Sequence, residues 1–253
     1  MSASERATDR ATDRPSERRS AARTSVVWDA LLPVVAGEDA RVLDVVDIGG
    51  GTGGFSVRVA ELGHRVTVID PSPDALASLS RRARELGLDV TGRQGDLSGL
   101  LDVSGPASAD LVLCHGVLEV VPDPAAALAA IGEVLRPGGH LSLLVSQRHA
   151  AVIARAMAGH FSQARALLDP GPDGAQVARS GRRFTHDEIT GLLDDSGFEL
   201  VSVHAVRVFA DLVPGALLDL EPGATAALVE LERAVATRSE YLPLAAQLHL
   251  LAR

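Results

Sequence analysis

The chain has 253 residues, 24 of them basic and 33 acidic, for a formal net charge of −9, and a single cysteine. Every basic residue is an arginine; the sequence contains no lysine. One thiol, Cys114, supports neither an internal disulfide nor a multi-cysteine zinc site, no run reaches the roughly 18 apolar residues of a membrane span, and the acidic balance excludes a protein that coats nucleic acid through its overall charge. The N-terminus has polar residues where a secretion signal needs an apolar core. The expectation is a cytoplasmic protein without a membrane partner or a metal.

Residues 1–23 contain no large aliphatic or aromatic residue after Met1, so burial cannot offset the entropy of ordering them, and they are expected to form a disordered tail. The tail holds six arginines and four acids, which leaves −11 on residues 24–253. From Val26 the apolar spacing predicts a leading helix over 26–36, and a strand–helix series follows. Strands are expected at 42–48, 65–70, 89–94, 109–114 and 140–146. Helices are expected at 54–62, at 73–86 between Pro73 and Gly87, and at 123–135. Apolar strands alternating with amphipathic helices indicate a doubly wound α/β domain, Rossmann-like, with a mostly parallel sheet covered on both faces. Beyond Gln147 the reading is a helix over 150–168, a loop over 169–183, a helix over 185–195, a strand over 199–209, a helix over 224–237 and a last strand near 246–252. The last two of these seven strands lack a parallel-type crossover and are expected to pair antiparallel. The chain after the tail is thus one domain, with a half at 24–147 built for a cofactor and acceptor-side helical insertions and terminal strands at 148–253.

The densest signal is the run Asp47-Ile48-Gly49-Gly50-Gly51-Thr52-Gly53-Gly54 between a strand and a helix. Glycines there let the chain turn tightly and let a ligand reach main-chain amides, which implies a nucleotide-type cofactor. The run satisfies both GxGxxG, through Gly49, Gly51 and Gly54, and GxGxG, through Gly49, Gly51 and Gly53. Asp47 ends the first strand, Asp70 the second, and Asp96 follows the third, so parallel strands bring all three carboxylates to one edge. Asp70 can accept both hydroxyls of a ribose, which would serve NAD too. Asp47, placed where a pyrophosphate would approach, and the lack of lysine suit a cationic sulfonium and amino group better.

At these residues the region 42–147 resembles a class I S-adenosylmethionine-dependent methyltransferase. VVDIGGGTGGFS is similar to the family's first motif, VIDPS with Asp70 and Pro71 to its second-strand motif, Gly95-Asp96 to its adenine-side motif, and ADLVLCHGVLEVV and LRPGGHLSLLV to the fourth strand and the approach to the fifth. The resemblance implies that Gly49, Gly51 and Gly53 cradle the methionine portion, that Asp47 lies near its amino group, and that Asp70 grips the ribose. It further implies that Asp96 bonds the adenine amine with the Leu97 amide nearby, and that His115 and Gly116 line the reacting side. A satisfied pocket-edge histidine without a chemical role is the other reading of His115, and Cys114 reads as a small buried residue ending a strand.

Methyl transfer is an in-line displacement, to which a protein contributes alignment and exclusion of water. After the fourth strand the sequence is Cys-His-Gly-Val rather than the Asn/Asp-Pro-Pro-aromatic tetrapeptide of many amine-methylating enzymes. The C-terminal stretches are similar, in order and spacing, to the bacterial tRNA wobble-uridine carboxymethoxy methyltransferase family, through Gly159-His160-Phe161, Arg207-Val208-Phe209 with Asp211, Leu231-Glu232 and the His249 strand. That resemblance implies tRNA, or another anionic acceptor, as partner. A carboxylate is already ionised at neutral pH and requires no base, only cationic positioning, for which Arg182, Arg183 and Arg207 are candidates beside His160 and Phe161. Two alternatives stay open: a small-molecule O- or N-methyltransferase, and a non-catalytic protein that binds the same cofactor.

Overall fold

The computed structural model describes residues 15–37, 41–168, 181–214, 218 and 222–253. Seven strands form one sheet: β1 (Asp44–Ile48), β2 (Arg65–Asp70), β3 (Val90–Gln94), β4 (Ala109–His115), β5 (Leu135–Ser146), β6 (Leu200–Val206) and β7 (Gln247–Ala252). Their order is β3-β2-β1-β4-β5-β7-β6. The first five pair in parallel, and β7 runs antiparallel to both of its neighbours. The expected reversal is therefore a single strand threaded between β5 and β6.

Alternate side chains of the central strands feed two apolar layers. Val45, Leu111, Leu113 and Leu144 pack with α1 (Pro15–Val35), α2 (Ser56–Glu61) and α3 (Pro73–Leu86) on one face. Val46, Val112, Leu141 and Leu143 pack on the other with α4 (Leu100–Ser104), α5 (Pro124–Val134) and α8 (His186–Asp195). Helices α6 (Arg148–Met157), α7 (Phe161–Leu168) and α9 (Ala224–Val235) belong to the C-terminal part of the chain. Capping fixes several boundaries. The Ser72 side chain accepts from the Ala75 amide ahead of Pro73, and Gly87 closes α3 in the left-handed region. Thr185 and Glu188 form a reciprocal capping box on α8.

Four boundaries differ from the sequence expectation, the first being β5, which starts at Leu135 where α5 ends rather than at 140. Helix α1 begins at Pro15, so 15–23 is helical rather than tail, while 1–14 lies outside the described residues. Small side chains make this possible: Ala22 is fully buried against Ala210 and Leu228, a contact that needs no large apolar group. The helix expected over 150–168 is two, because Gly159 takes a φ of +76° and the His160 amide turns back to the Arg155 carbonyl at 2.9 Å. The strand expected over 199–209 stops at Val206, and the loop expected over 169–183 is described only from 181.

The edge of the sheet away from the glycine run is locked by charge. Asp110, at the start of β4, accepts from Arg41 at 3.0 Å, from Arg136 at 2.8 Å and from the Asp44 amide at 2.9 Å, while Asp44 pairs with Arg65 at 2.7 Å and Arg136 at 2.9 Å. These ion pairs hold the strand beginnings together and leave the strand ends for ligands.

Candidate active site

The chain leaves β1 at Ile48 and turns at once. The Gly49 amide donates to the Ile69 carbonyl at 2.7 Å, and a Cβ at position 49 would lie 2.5 Å from a methyl of Val117. Gly51 has a φ of +55°, which points its amide at Asp70 Oδ2, 2.9 Å away. The other Asp70 oxygen accepts from the Ser72 amide at 2.8 Å. One buried carboxylate therefore ties the glycine turn to the end of β2. The Gly53 amide donates to the Gly50 carbonyl at 2.9 Å and closes the turn before α2.

Beside this turn opens a cavity of about 890 Å³. Gly49, Asp70 and Pro71 line one part of it, Asp96, Leu97 and Ser98 another, and His115 and Gly116 a third, with Ile48, Ile69 and Val117 as apolar wall. Asp96 caps the turn at Leu97–Gly99 by accepting from the Ser98 and Gly99 amides, and hydrogen bonds from the Ser98 hydroxyl and these amides hold its carboxyl below the usual range. Among the described residues no arginine lines this cavity, and the chain has no lysine. A pyrophosphate would find no counter-charge there, whereas a nucleoside bearing a cationic sulfonium meets carboxylates and an apolar sleeve. The donor set fits S-adenosylmethionine.

Asp47 takes a different place from the other two acids. It is buried, accepts a short hydrogen bond from the Ser56 hydroxyl and lies directly behind Gly50, where a Cβ would sit 2.5 Å from its Oδ2. Burial pushes its carboxyl up to about 7, against the Ser56 hydrogen bond and with the charge of Asp70 adding to the rise. It stands behind the turn and is not among the residues lining the cavity.

A second cavity, of about 320 Å³, lies at the ends of β5 and β7 and is lined by Ser146, Gln147, Arg183, Arg207, Asp211 and Ala246 among others. Arg207 adopts a φ of +60°, rare for a residue with a side chain, and pairs with Asp211. The turn that carries it is held by buried Glu232, whose carboxylate accepts from three consecutive amides: Val208 at 2.8 Å, Phe209 at 2.8 Å and Ala210 at 2.7 Å. Of the other expected acceptor residues, Arg182 donates its amide to the Glu119 carbonyl at 2.8 Å, while His160 and Phe161 are exposed at the α6–α7 junction and line neither cavity.

Arg23, on α1, lies within electrostatic reach of His115 at the first cavity and of Arg207 at the second. Burial and then the charge of Arg23 lower His115, and Arg23 is itself lowered by burial and by the charge of Arg207. The Nε groups of Arg23 and Arg207 are both buried without a hydrogen-bond partner among the described residues. Glu119, just after β4, is buried as well: one carboxylate oxygen accepts from the Ser146 amide at 2.8 Å, the other has no partner among the described residues, and burial raises its pKa. Sequence reasoning missed both groups. Arg23 sat in a stretch assigned to the tail, and Glu119 carried no spacing signal. No three His, Cys, Asp or Glu side chains among the described residues are grouped to hold a metal.

A glycine turn pinned to the second-strand acid, opening on a carboxylate-lined cavity without cations, puts the fold in the class of S-adenosylmethionine-dependent methyltransferases. Known proteins give the same class. Residues 46–141 match the methyltransferase domain family. The chain is 29% identical to the tRNA 5-carboxymethoxyuridine methyltransferase of Escherichia coli (strain K12), over 91% of this chain and 87% of that one. It is 39% identical to the ubiquinone biosynthesis O-methyltransferase of Xanthomonas euvesicatoria pv. vesicatoria over about half of each, 51% and 52%. An S-adenosylmethionine-dependent methyltransferase from Mesorhizobium loti shares the fold, with a TM-score of 0.58 at 22% identity over 88% of this chain and 97% of that one. The chain is an S-adenosylmethionine-dependent methyltransferase.

Proposed function

We propose that the enzyme esterifies a carboxylate on a modified uridine of tRNA. The observation that carries this reading is a pair of half-buried arginines, Arg23 and Arg207, each with a buried Nε–H lacking an acceptor among the described residues, Arg23 within electrostatic reach of His115 at the first cavity and Arg207 in the lining of the second with Arg183. Donors of this kind, left without a partner, cost stability unless a ligand supplies the oxygen, and a carboxylate matches a guanidinium fork. The tRNA-modifying relative, alignable over nine-tenths of this chain, supports the same acceptor, whereas the quinone-pathway relative aligns over half of it.

S-adenosylmethionine supplies a methyl group on a sulfonium, open to in-line displacement. The chain's own residues do the rest. Asp70 and Asp96 would hold the nucleoside part, the Gly49–Gly53 turn the amino-acid part, and Asp47 would set its charge behind that turn. Arg23, Arg183 and Arg207 would orient the acceptor carboxylate, and the apolar wall at Ile48 and Val117 would exclude water. No residue need remove a proton, because a carboxylate arrives ionised. The experiment is mass spectrometry of nucleosides from tRNA carrying unmethylated 5-carboxymethoxyuridine, incubated with enzyme and cofactor. The expected product is that nucleoside heavier by one methyl group, and its formation should fall steeply in Arg207→Ala. Methylation of a phenolic or quinol acceptor with none of tRNA would favour a small-molecule O-methyltransferase instead.

A further inference from the structure

Six side-chain nitrogen or oxygen atoms are buried without a hydrogen-bond partner among the described residues, and four of them belong to residues in or close to the second cavity. Arg207 Nε and Gln247 Oε1 come from residues that line it. Arg23 Nε comes from a residue within electrostatic reach of Arg207. Glu119 Oε2 belongs to a carboxyl whose other oxygen accepts from the amide of Ser146, which also lines the cavity. Buried polar atoms without partners cost stability, and their gathering at one opening points to a ligand that supplies what is missing.

Gln247 begins β7 and pairs across the sheet with Ser146 at the end of β5 and with Val206 at the end of β6. Residues paired in this way point to the same face, so the Gln247 side chain leaves the sheet beside Ser146. β5 lies between β7 and β4, and the last residue of β4, His115, lines the cofactor cavity. Two strand spacings, about 10 Å, therefore separate Gln247 from that cavity along the same sheet edge. A single ring in the second cavity, with a short arm extended toward β4, bridges them.

The unpartnered atoms differ in what they ask of that ligand. A carboxylate arm answers the Nε–H groups of Arg207 and Arg23, but it carries no proton for the carbonyl oxygen of Gln247. Arg183 and Arg207 line the cavity with Gln247, and Asp211, the one carboxylate in the lining among the described residues, is paired with Arg207. That balance of charge favours the amide with its oxygen, rather than its NH2 group, on the buried side. The ligand must then bring an N–H of its own beside its anionic arm. The cavity, about 320 Å³ with aliphatic wall at Ile153, Leu212 and Leu244, is at the lower end of the roughly 300–1,000 Å³ of small-ligand sites and suits one ring.

We propose that the second cavity takes the pyrimidine ring of the methyl acceptor and that Gln247 Oε1 accepts the ring's imide N–H, which makes Gln247 a specificity-determining residue. The assignment rests on the modified-uridine reading and adds the recognition of the ring to that of its arm. A uracil ring is protonated at N3 and satisfies the oxygen. A cytosine ring of the same shape carries a lone pair there and would set two acceptors against each other, the mismatch by which a site built for an N–H rejects an analogue without one.

The test uses the full chain, S-adenosylmethionine and two synthetic tRNAs that differ only at the wobble ring, one carrying 5-carboxymethoxyuridine and the other its N3-methyl counterpart, with the products read by mass spectrometry. The wild type should methylate the N3-methyl tRNA with a kcat/KM lower by about tenfold or more, the scale of one buried hydrogen bond. In Gln247→Leu the parent tRNA should lose about tenfold through the KM of the acceptor, with the KM for S-adenosylmethionine unmoved, and the ratio between the two tRNAs should fall toward one. A side chain that only packs would lower both tRNAs alike and keep their ratio. Gln247→Ala serves where leucine costs the fold and should give the same loss of preference. Equal rates on the two tRNAs in the wild type, or a ratio unchanged in both variants, would overturn the proposal and leave the tRNA reading standing. Methylation of neither tRNA by the wild type would overturn both.

Discussion

Asp47 is a carboxyl pushed up to about 7 by burial, within electrostatic reach of Asp70 and one turn of chain away from where a cationic amino group would rest. A group that is half protonated near neutrality favours a cation only once it has lost its proton. Affinity for S-adenosylmethionine should therefore rise with pH up to about 7 and then level off. In Asp47→Asn that rise should be absent, as calorimetric titration across pH 5.5 to 8, roughly the span of this ionisation, would show. Gly51 and Asp70 give a sharper expectation. Valine cannot hold the φ of +55° that aims the Gly51 amide at Asp70, and Asp70→Ala removes the acceptor of that amide and of Ser72. Each change should weaken cofactor binding at least tenfold, the loss of one or more charge-assisted hydrogen bonds of about 1.5–3 kcal/mol. These residues were legible in the sequence because strand, glycine run and acid are contiguous or one βα unit apart. Arg23 and the buried Ser142–His249 hydrogen bond were not: the two side chains meet across 107 positions, a distance at which no local pattern speaks.

The turn after β6 shows how an element can be held for a function its own sequence does not announce. Residues 207–210 carry Arg207 in a left-handed conformation, and a side chain from α9, Glu232, takes up their three amides. Period-based reading ran the strand on to 209 because Val206, Val208 and Phe209 keep an apolar pattern; the amides turn away because a buried carboxylate competes for them. Glu232→Ala should leave three buried donors short of an acceptor. Thermal unfolding should register a loss on the order of 2–4 kcal/mol, and the KM for the acceptor should rise more than that for S-adenosylmethionine. A KM change confined to the cofactor would place the turn in the wrong site. Helix α1 was similarly underestimated at its N-terminal end, since small residues such as Ala22 bury well without registering as hydrophobic anchors.

Across the whole molecule, charge is sorted by the sheet. The strand beginnings hold the Asp44–Asp110–arginine lattice, and the strand ends hold the glycine turn, the acids of the cofactor cavity and the arginines of the second cavity. The total of −9 therefore says little about either cavity, and the doubly wound order was readable from period while the threading of β7 between β5 and β6 was not. Burial lowers four histidines, His115, His140, His204 and His249. Unfolded, each takes up a proton near pH 6.5; folded, each takes it up only at lower pH, so stability is present above the unfolded value and is lost as pH falls beneath it. Asp47 and Glu119, raised by burial, act in the opposite sense over the same range. With four groups against two, the melting temperature should decline from about pH 6.5 toward 5, and His249→Gln should flatten that decline. The most direct test of the central claim is the chemical character of the transferred group. Labelled methyl carried from S-adenosylmethionine to tRNA should be released as methanol by mild alkali, as an ester requires. Label that stays on the nucleoside through alkali, or that never reaches tRNA, would contradict carboxylate methylation.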